Sequence, residues 1–368
     1  MNTNHMTIGF IGLGLIGGSI AKTIRRIHPD SIIYGFDTDI DSLKVAKEDG
    51  TLTQFFETLD SSSFSSCDII FLCAPVSNNI EHLKELKGII SESCLLTDVG
   101  SVKEPIQSAI KELDMESNFI GGHPMVGSEK SGYAYANDHL LENAYYFLTP
   151  SEHTLFQLTT KFSSFIQGLG ALAVSLKPEE HDFITAAISH VPHIVAAELV
   201  HLVRRADRNN GMLKQLAAGG FKDITRIASS SPIMWEQICE NNSSNIKTLL
   251  TSMIHDLQEV IDQLDKENGA YVNEYFKEAG DYRNSVPDHS IGLFDKVHKL
   301  YVHIPDQPGT IATVASLLAF NNISLKNIGI IYNREFEEGV LEIVLYDEES
   351  CQKGAQVLEE RNYIVHIR

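Results

Sequence analysis

The chain has 368 residues, 43% of them hydrophobic, which is enough for two or three domains with sizeable cores. Its 49 acidic residues against 29 basic ones give a net charge of −20, which argues against nucleic acid and anionic membrane as partners. The five cysteines (Cys67, Cys73, Cys94, Cys239 and Cys351) are scattered and form no CxxC pair, so they read as reduced thiols of a cytoplasmic protein rather than as disulfides or a metal site. No signal peptide is read, nor any uninterrupted apolar stretch of about 18 residues. Met1 to Met6 is expected to be a frayed tail.

Residues 8–11 read as a buried strand and 19–27 as a helix, with Gly12-Leu13-Gly14-Leu15-Ile16-Gly17 between them. That order makes a GxGxxG string informative. Gly12 permits a tight turn, Gly14 lets backbone approach a pyrophosphate, and Gly17 lets helix pack closely on strand. The helix start then favours an anion. A second strand, 31–36, ends in Asp37, where a carboxylate accepts hydrogen bonds from ribose hydroxyls. Asp37, Asp39 and Asp41 would repel a 2′-phosphate, so the cofactor predicted is NAD rather than NADP.

Beyond Asp37 strands and helices alternate: helix 39–49, strand 67–74, helix 80–90, strand 93–99, helix 104–112, then a short strand 119–120 running into Gly121-Gly122-His123-Pro124. Strand 144–148, helix 152–169 and strand 171–175 follow. The rhythm predicts an α/β, Rossmann-type doubly wound parallel sheet over residues 1–176. Ligands of such sheets sit beyond the carboxyl ends of the strands. The glycine turn, Ala74-Pro75, Ser101 and His123 are all predicted at that rim.

From Lys177 the pattern is helical only, and residues 177–294 are predicted to form an all-α substrate and dimerisation domain. A helix starts at Pro178-Glu179-Glu180 and runs through Val203, bent at Pro192. Residues 245–275 read as one long helix. Its stripe Ile246, Leu250, Met253, Leu257, Val260, Leu264 suits a seam within the domain or between two copies, and a homodimer is favoured. Residues 278–294 read as a linker. The last part, 295–368, has strands at 299–304, 324–332, 340–346 and 363–367 and helices at 310–320 and 350–361. This βαββαβ order is ferredoxin-like.

The chemistry centres on His123, an imidazole among glycines and prolines that can accept a proton at neutral pH or merely cap its loop. Ser101 follows a strand end and suits a bond to substrate, to nicotinamide or to the imidazole, or a helix cap. In the helical part, Ser189-His190-Val191-Pro192-His193 precedes Arg226, whose planar fork matches a carboxylate. His190 and His193 lack a third ligand at suitable spacing, so no metal is expected. Trp235 reads as a packing residue under the site.

Together, residues 12–19, Asp98-Val99-Gly100-Ser101-Val102-Lys103, the run from Gly122 to Gly132, Ser189 to His193, and Phe221 to Ala228 resemble the prephenate dehydrogenase family of tyrosine biosynthesis. The match covers about residues 6–290. The resemblance implies NAD-dependent oxidative decarboxylation of prephenate to 4-hydroxyphenylpyruvate. In that reading His123 accepts the proton of the C4 hydroxyl, and Ser101 orients His123 and the nicotinamide. Arg226 and His193 hold a substrate carboxylate, with Gly219 beside them, while Glu129 and Asp223 help order the pocket. Gly12, Leu13, Gly14, Leu15, Ile16, Gly17, Asp37, Ala74, Pro75 and Ser101 make the cofactor set. The tail resembles an ACT domain through Asp306-Gln307-Pro308-Gly309 and Asn322-Ile323, which implies feedback by L-tyrosine bound there. Arogenate is a rival substrate. A β-hydroxyacid dehydrogenase, for which Lys222 is the one candidate lysine, and a non-catalytic amino-acid sensor are the other readings.

Overall fold

The computed structural model describes residues 6–60, 64–127, 130–207, 211–286, 298–305, 307–331 and 339–367. Two expected site residues, Glu129 and Asp306, and the expected 294/295 boundary lie outside them. The chain divides into two compact units, Met1–Gly280 and Asp281–Arg368.

In the first unit, β1 (Thr7–Ile11), β2 (Ile32–Phe36), β4 (Ile69–Leu72) and β5 (Leu95–Asp98) run parallel, with the short β3 (Gln54–Phe56) at one edge. The order is β3-β2-β1-β4-β5. β3 has too few residues to show a period, and the sequence does not reveal it. Ile8, Phe10, Ile69 and Phe71 enter one core, while Ile11, Ile70 and Leu72 enter another. Alternate side chains thus leave by opposite faces, and both faces are covered. The covering helices include α1 (Leu15–Ile27), α2 (Ile40–Glu48), α3 (Val76–Leu86) and α4 (Glu104–Glu112).

The sheet then departs from a simple continuation. β6 (Ile120–Pro124) pairs antiparallel with β7 (Tyr145–Pro150), which pairs parallel with β8 (Leu172–Ser175). One bridge, Leu96 to Phe119, ties β5 to the entry of β6. The strand expected to end at Ile120 therefore continues, and His123 sits within it rather than in a loop. The two glycines read as loop formers serve close packing. A Cβ at Gly121 would lie 2.2 Å from Thr149 Oγ1, and one at Gly122 2.5 Å from the Asp98 carbonyl.

After α5 (Phe156–Gly168) and β8, α6 (Pro178–Thr185) passes through a π-helical turn, Ala186–His190, into α7 (Val191–Ala206). The expected interruption at Pro192 is therefore a wider turn just before it. Proline lacks the N–H an α-helix would need there, and a wide turn absorbs that mismatch. The run Pro178–Ala206 is long and apolar enough to span a membrane by length and composition, which the residue-by-residue reading missed. Yet it buries His181, Asp182, Thr185 and His190 within the unit.

Short helices α8 (Met212–Leu216) and α9 (Gly219–Thr225) lead to α10 (Pro232–Asn241), α11 (Ser243–Asp265) and α12 (Gly269–Ser285). The helix expected over 245–275 is thus two helices, and α12 reaches into the expected linker. Glu267 adopts φ +53°, and Asn268 Oδ1 accepts the Tyr271 N–H at 3.2 Å, so Asn268-Gly269 stops one helix and caps the next. Ile254, Leu257, Ile261 and Leu264 are each at least half exposed.

The second unit is β9 (His298–Ile304), α13 (Thr310–Phe320), β10 (Leu325–Ile331), β11 (Gly339–Leu345), α14 (Glu348–Glu359) and β12 (Val365–Ile367). Its antiparallel sheet has the order β10-β11-β9-β12, the ferredoxin-like arrangement expected from the βαββαβ order. Leu300, Val302, Val314, Leu318, Ile343 and Leu358 fill its core.

Candidate active site

The glycine turn fits a dinucleotide. Gly12 has φ +93°, and a Cβ there would stand 2.7 Å from the Ala74 nitrogen. A Cβ at Gly17 would stand 2.4 Å from the Gly12 carbonyl, whereas one at Gly14 would meet nothing within 4 Å. The first and third glycines therefore close the strand–turn–helix, and the second leaves an open approach to the N-terminus of α1, which has no side-chain cap. Asp37 ends β2 beside this turn. Its Oδ2 accepts the Leu13 N–H at 2.5 Å, and its Oδ1 accepts that of Asp39 at 2.8 Å. Leu13 is buried, so it supports the turn from behind.

His123 is 9% exposed, and its Nδ1 lies 2.8 Å from Nε2 of His181 in α6. His181 Nδ1 is 2.7 Å from Asp182 Oδ1. Asp182 also accepts the Lys103 N–H on Oδ1 and the Glu104 N–H on Oδ2, each at 2.8 Å. A carboxylate only accepts, so His181 carries its proton on Nδ1 and offers Nε2 as acceptor. His123 then donates from Nδ1, which leaves its Nε2 as the unprotonated nitrogen. Burial, with the neighbouring His181, Lys103 and His190, holds His123 well below the usual imidazole range. Burial also takes His181 down to about 2 and His190 to about 4.

Lys103 joins the two halves of this arrangement. Its backbone N–H holds Asp182, while its Nζ, wholly buried, pairs with Asp98 and donates to the Gly122 carbonyl at 2.6 Å. Asp98 Oδ1 accepts the Gly122 N–H at 3.2 Å. Gly122, the residue just before His123, is thereby gripped at both its N–H and its carbonyl by one buried ion pair. On the far side, Asn242 donates to the Asp182 carbonyl at 2.7 Å and lies 3.2 Å from His190 Nδ1.

A cleft of about 490 Å³ opens between the glycine turn and β6. Gly14, Leu15, Ile16, Ala74, Pro75, Ser101 and His123 all line it, as the sequence predicts. One face of α10, with Met234, Gln237, Ile238 and Asn241 at i, i+3, i+4, i+7, forms the opposing wall. These four were not anticipated, nor were His181 and Asp182 as partners of His123. Their signal was faint: a His-Asp pair directly after Pro178-Glu179-Glu180 at a helix start, and amides on one stripe of α10. Ser101 shares the cleft, but the group hydrogen-bonded to His123 is His181.

Other expected residues lie outside this cleft. His193 donates from Nδ1 to the Ser189 carbonyl at 2.8 Å and stacks on Trp235 with ring centroids 4.2 Å apart. Gly219, Asp223 and Arg226 are exposed, on α9 and the 3₁₀ turn Arg226–Ser229 that packs on α7. In the second unit, Gln307, Pro308 and Gly309 precede α13 while Asn322 and Ile323 follow it. An eleven-residue helix, about 16 Å long, separates the two expected effector groups. Ile323 is buried in that unit's core, leaving only its backbone for a ligand.

Residues 20–175 match the family model described as prephenate dehydrogenase, nucleotide-binding domain, and residues 177–278 match that of prephenate dehydrogenase, dimerization domain. A prephenate dehydrogenase of Bacillus subtilis is 38% identical over 363 residues, covering 98% of each chain. The crystal structure of prephenate dehydrogenase from A. aeolicus with hydroxyphenyl propionate and NAD+ superposes with a TM-score of 0.72. It is 32% identical, over 77% of this chain and 98% of that one. Synechocystis arogenate dehydrogenase superposes with a TM-score of 0.68 at 29% identity, over 76% of this chain and all of that one. The chain therefore belongs to the prephenate dehydrogenase family.

Proposed function

We propose that this protein catalyses the NAD-dependent oxidative decarboxylation of prephenate to 4-hydroxyphenylpyruvate. The observation that carries the reading is the row Asp182–His181–His123, which ends on an unprotonated nitrogen in the wall of the dinucleotide cleft. Gly12, Gly14 and Gly17 with the start of α1 hold the pyrophosphate, and Asp37 serves the ribose. The bound dinucleotide supplies the acceptor for the hydride that leaves C4.

His123 Nε2 accepts the proton of the C4 hydroxyl as C4 becomes a carbonyl. The ring carboxylate then leaves as CO2, its bonding electrons make the ring aromatic, and His123 returns the proton to the new phenolic oxygen. A neutral imidazole suits this role, since the proton is lent rather than lost. His181 and Asp182 fix its tautomer and offset the charge while it is protonated. Ser101 stands in the same wall to bond substrate or cofactor.

The exposed apolar stripes of the helical part fit pairing with a second copy, which also suits Arg226, His193, Asp223 and Gly219 completing a substrate site in the assembled dimer. The C-terminal unit is read as an ACT-type domain that binds L-tyrosine. Its left-handed Gly309 and Asn322, at opposite ends of α13, suit a ligand held between two copies. The test is NADH formation from prephenate and NAD, repeated with arogenate and with added tyrosine. No NADH from either substrate would reject the reading, and activity with arogenate alone would reassign the substrate. Rates unaltered by tyrosine would remove the effector assignment.

A further inference from the structure

We propose that Lys130 is the cation that holds an anionic oxygen group in this cleft, either a carboxylate of the substrate or the pyrophosphate of the dinucleotide. The proposal rests on the dehydrogenase reading above. Lys130 lines the cleft together with Gly14, Ser101 and His123. Among the described lining residues it is the single Lys or Arg, and none is Asp or Glu. The chain as a whole carries a charge of −20, so an anionic ligand approaches against a repulsive field. Lys130 brings a positive charge into that cleft wall.

The position is also built. Gly132 turns the chain with φ +93°, and Tyr133 is buried against Gly18 of α1. The Tyr133 hydroxyl bonds Asp49 Oδ2 and Thr51 Oγ1, each at 2.8 Å. Asn137 N–H donates to Ser19 Oγ at 2.9 Å. Lys130 thus stands on a segment pinned to the helix whose N-terminus faces the pyrophosphate. Its Nζ lies 4.9 Å from the Tyr135 ring centroid. A ring face attracts the ammonium without accepting its N–H groups in a fixed direction, and so helps set where the side chain stands. Arg226, expected to hold the carboxylate, lines none of this cleft.

The test uses full-length Lys130→Met, which keeps the stem, and Lys130→Arg. NAD affinity is titrated without substrate, and KM for prephenate is measured at saturating NAD, both at low and high ionic strength. In Lys130→Met one of these constants rises roughly three- to tenfold at low salt, with kcat little changed, the scale of a partly exposed charged contact. High salt narrows the gap, and Lys130→Arg restores most of the loss. A change in NAD affinity identifies the pyrophosphate, and a change in KM identifies a carboxylate. Both constants equal to wild type would overturn the proposal. A wild-type protein inert toward both prephenate and arogenate would reject the dehydrogenase reading instead, and the NAD titration alone would then decide on Lys130.

Discussion

Replacing His181 by leucine removes the acceptor on which the orientation of His123 depends. In the folded chain His123 Nδ1 has His181 Nε2 at 2.8 Å, and both rings are buried. Leucine of similar bulk leaves a buried N–H without its acceptor, worth about 1–3 kcal/mol, and deprives Asp182 of a bond. Part of that is recovered because a buried imidazole is itself costly. The expected net loss is about 1–2 kcal/mol, a fall in Tm of roughly 2–8 °C for a unit of this size. The catalytic effect is larger. Without the acceptor, the His123 proton is no longer held on Nδ1, and molecules with the proton on Nε2 cannot accept from the substrate. Turnover should fall at least about a hundredfold, the usual contribution of a positioned base, while KM for prephenate stays within about threefold. His181→Gln, whose amide oxygen can accept the same N–H, should recover part of the rate. Initial rates of NADH formation and a melting curve on each variant provide the measurement. A folded His181→Leu protein with wild-type kcat would refute the assignment of His181 as the group that orients the base.

Gly14→Ala should fold with a loss of no more than about 1 kcal/mol, since its Cβ meets nothing within 4 Å, yet bind NAD at least about tenfold more weakly, as a titration would show. Lys103→Met leaves Asp98 as a buried unpaired carboxylate. Urea unfolding should show a loss of about 3–5 kcal/mol, largely recovered in the double variant with Asp98→Asn. The pH dependence follows from the imidazoles. His190 falls from 6.5 to about 4 on folding, so the unfolded chain binds its proton more readily. That contribution to stability is full above pH 6.5 and is lost as pH drops from 6.5 toward 4, and His190→Asn should flatten the acid side of a stability curve. For catalysis, the depressed His123 should place the acid limb of kcat/KM below pH 6.5.

The parts of the site that were legible in the sequence are those made by neighbours along the chain. Gly12, Gly14 and Gly17 declare their roles by spacing, and Asp37 by following the next strand. The parts that were not legible are made by distance in sequence. His123 and His181 are 58 positions apart, and no periodicity links them. Lys103 was visible in its motif, yet nothing local says that its side chain and its backbone serve different partners. The glycines before His123 misled for a physical reason: the same lack of a side chain that suits a loop also suits a strand pressed against Thr149 and Asp98. Residues 245–275 read as one helix because the apolar stripe keeps its register across the break at Glu267. The Asn268-Gly269 pair was the available warning.

The π-helical turn at Ala186–His190 makes chain length part of the site's geometry. Such a turn holds one more residue than an α-helical turn. Drawing those five residues into an even α-coil without removing one would swing everything downstream by about 100° relative to His181 and Asp182, whereas deleting a single residue there would leave that phase nearly unchanged. In an even coil of full length His193 would leave the Trp235 ring, although no contacting side chain had been altered. Within this stretch, substitutions test chemistry, whereas a one-residue deletion tests whether the wide turn is what keeps the rest of α7 in phase with His181 and Asp182.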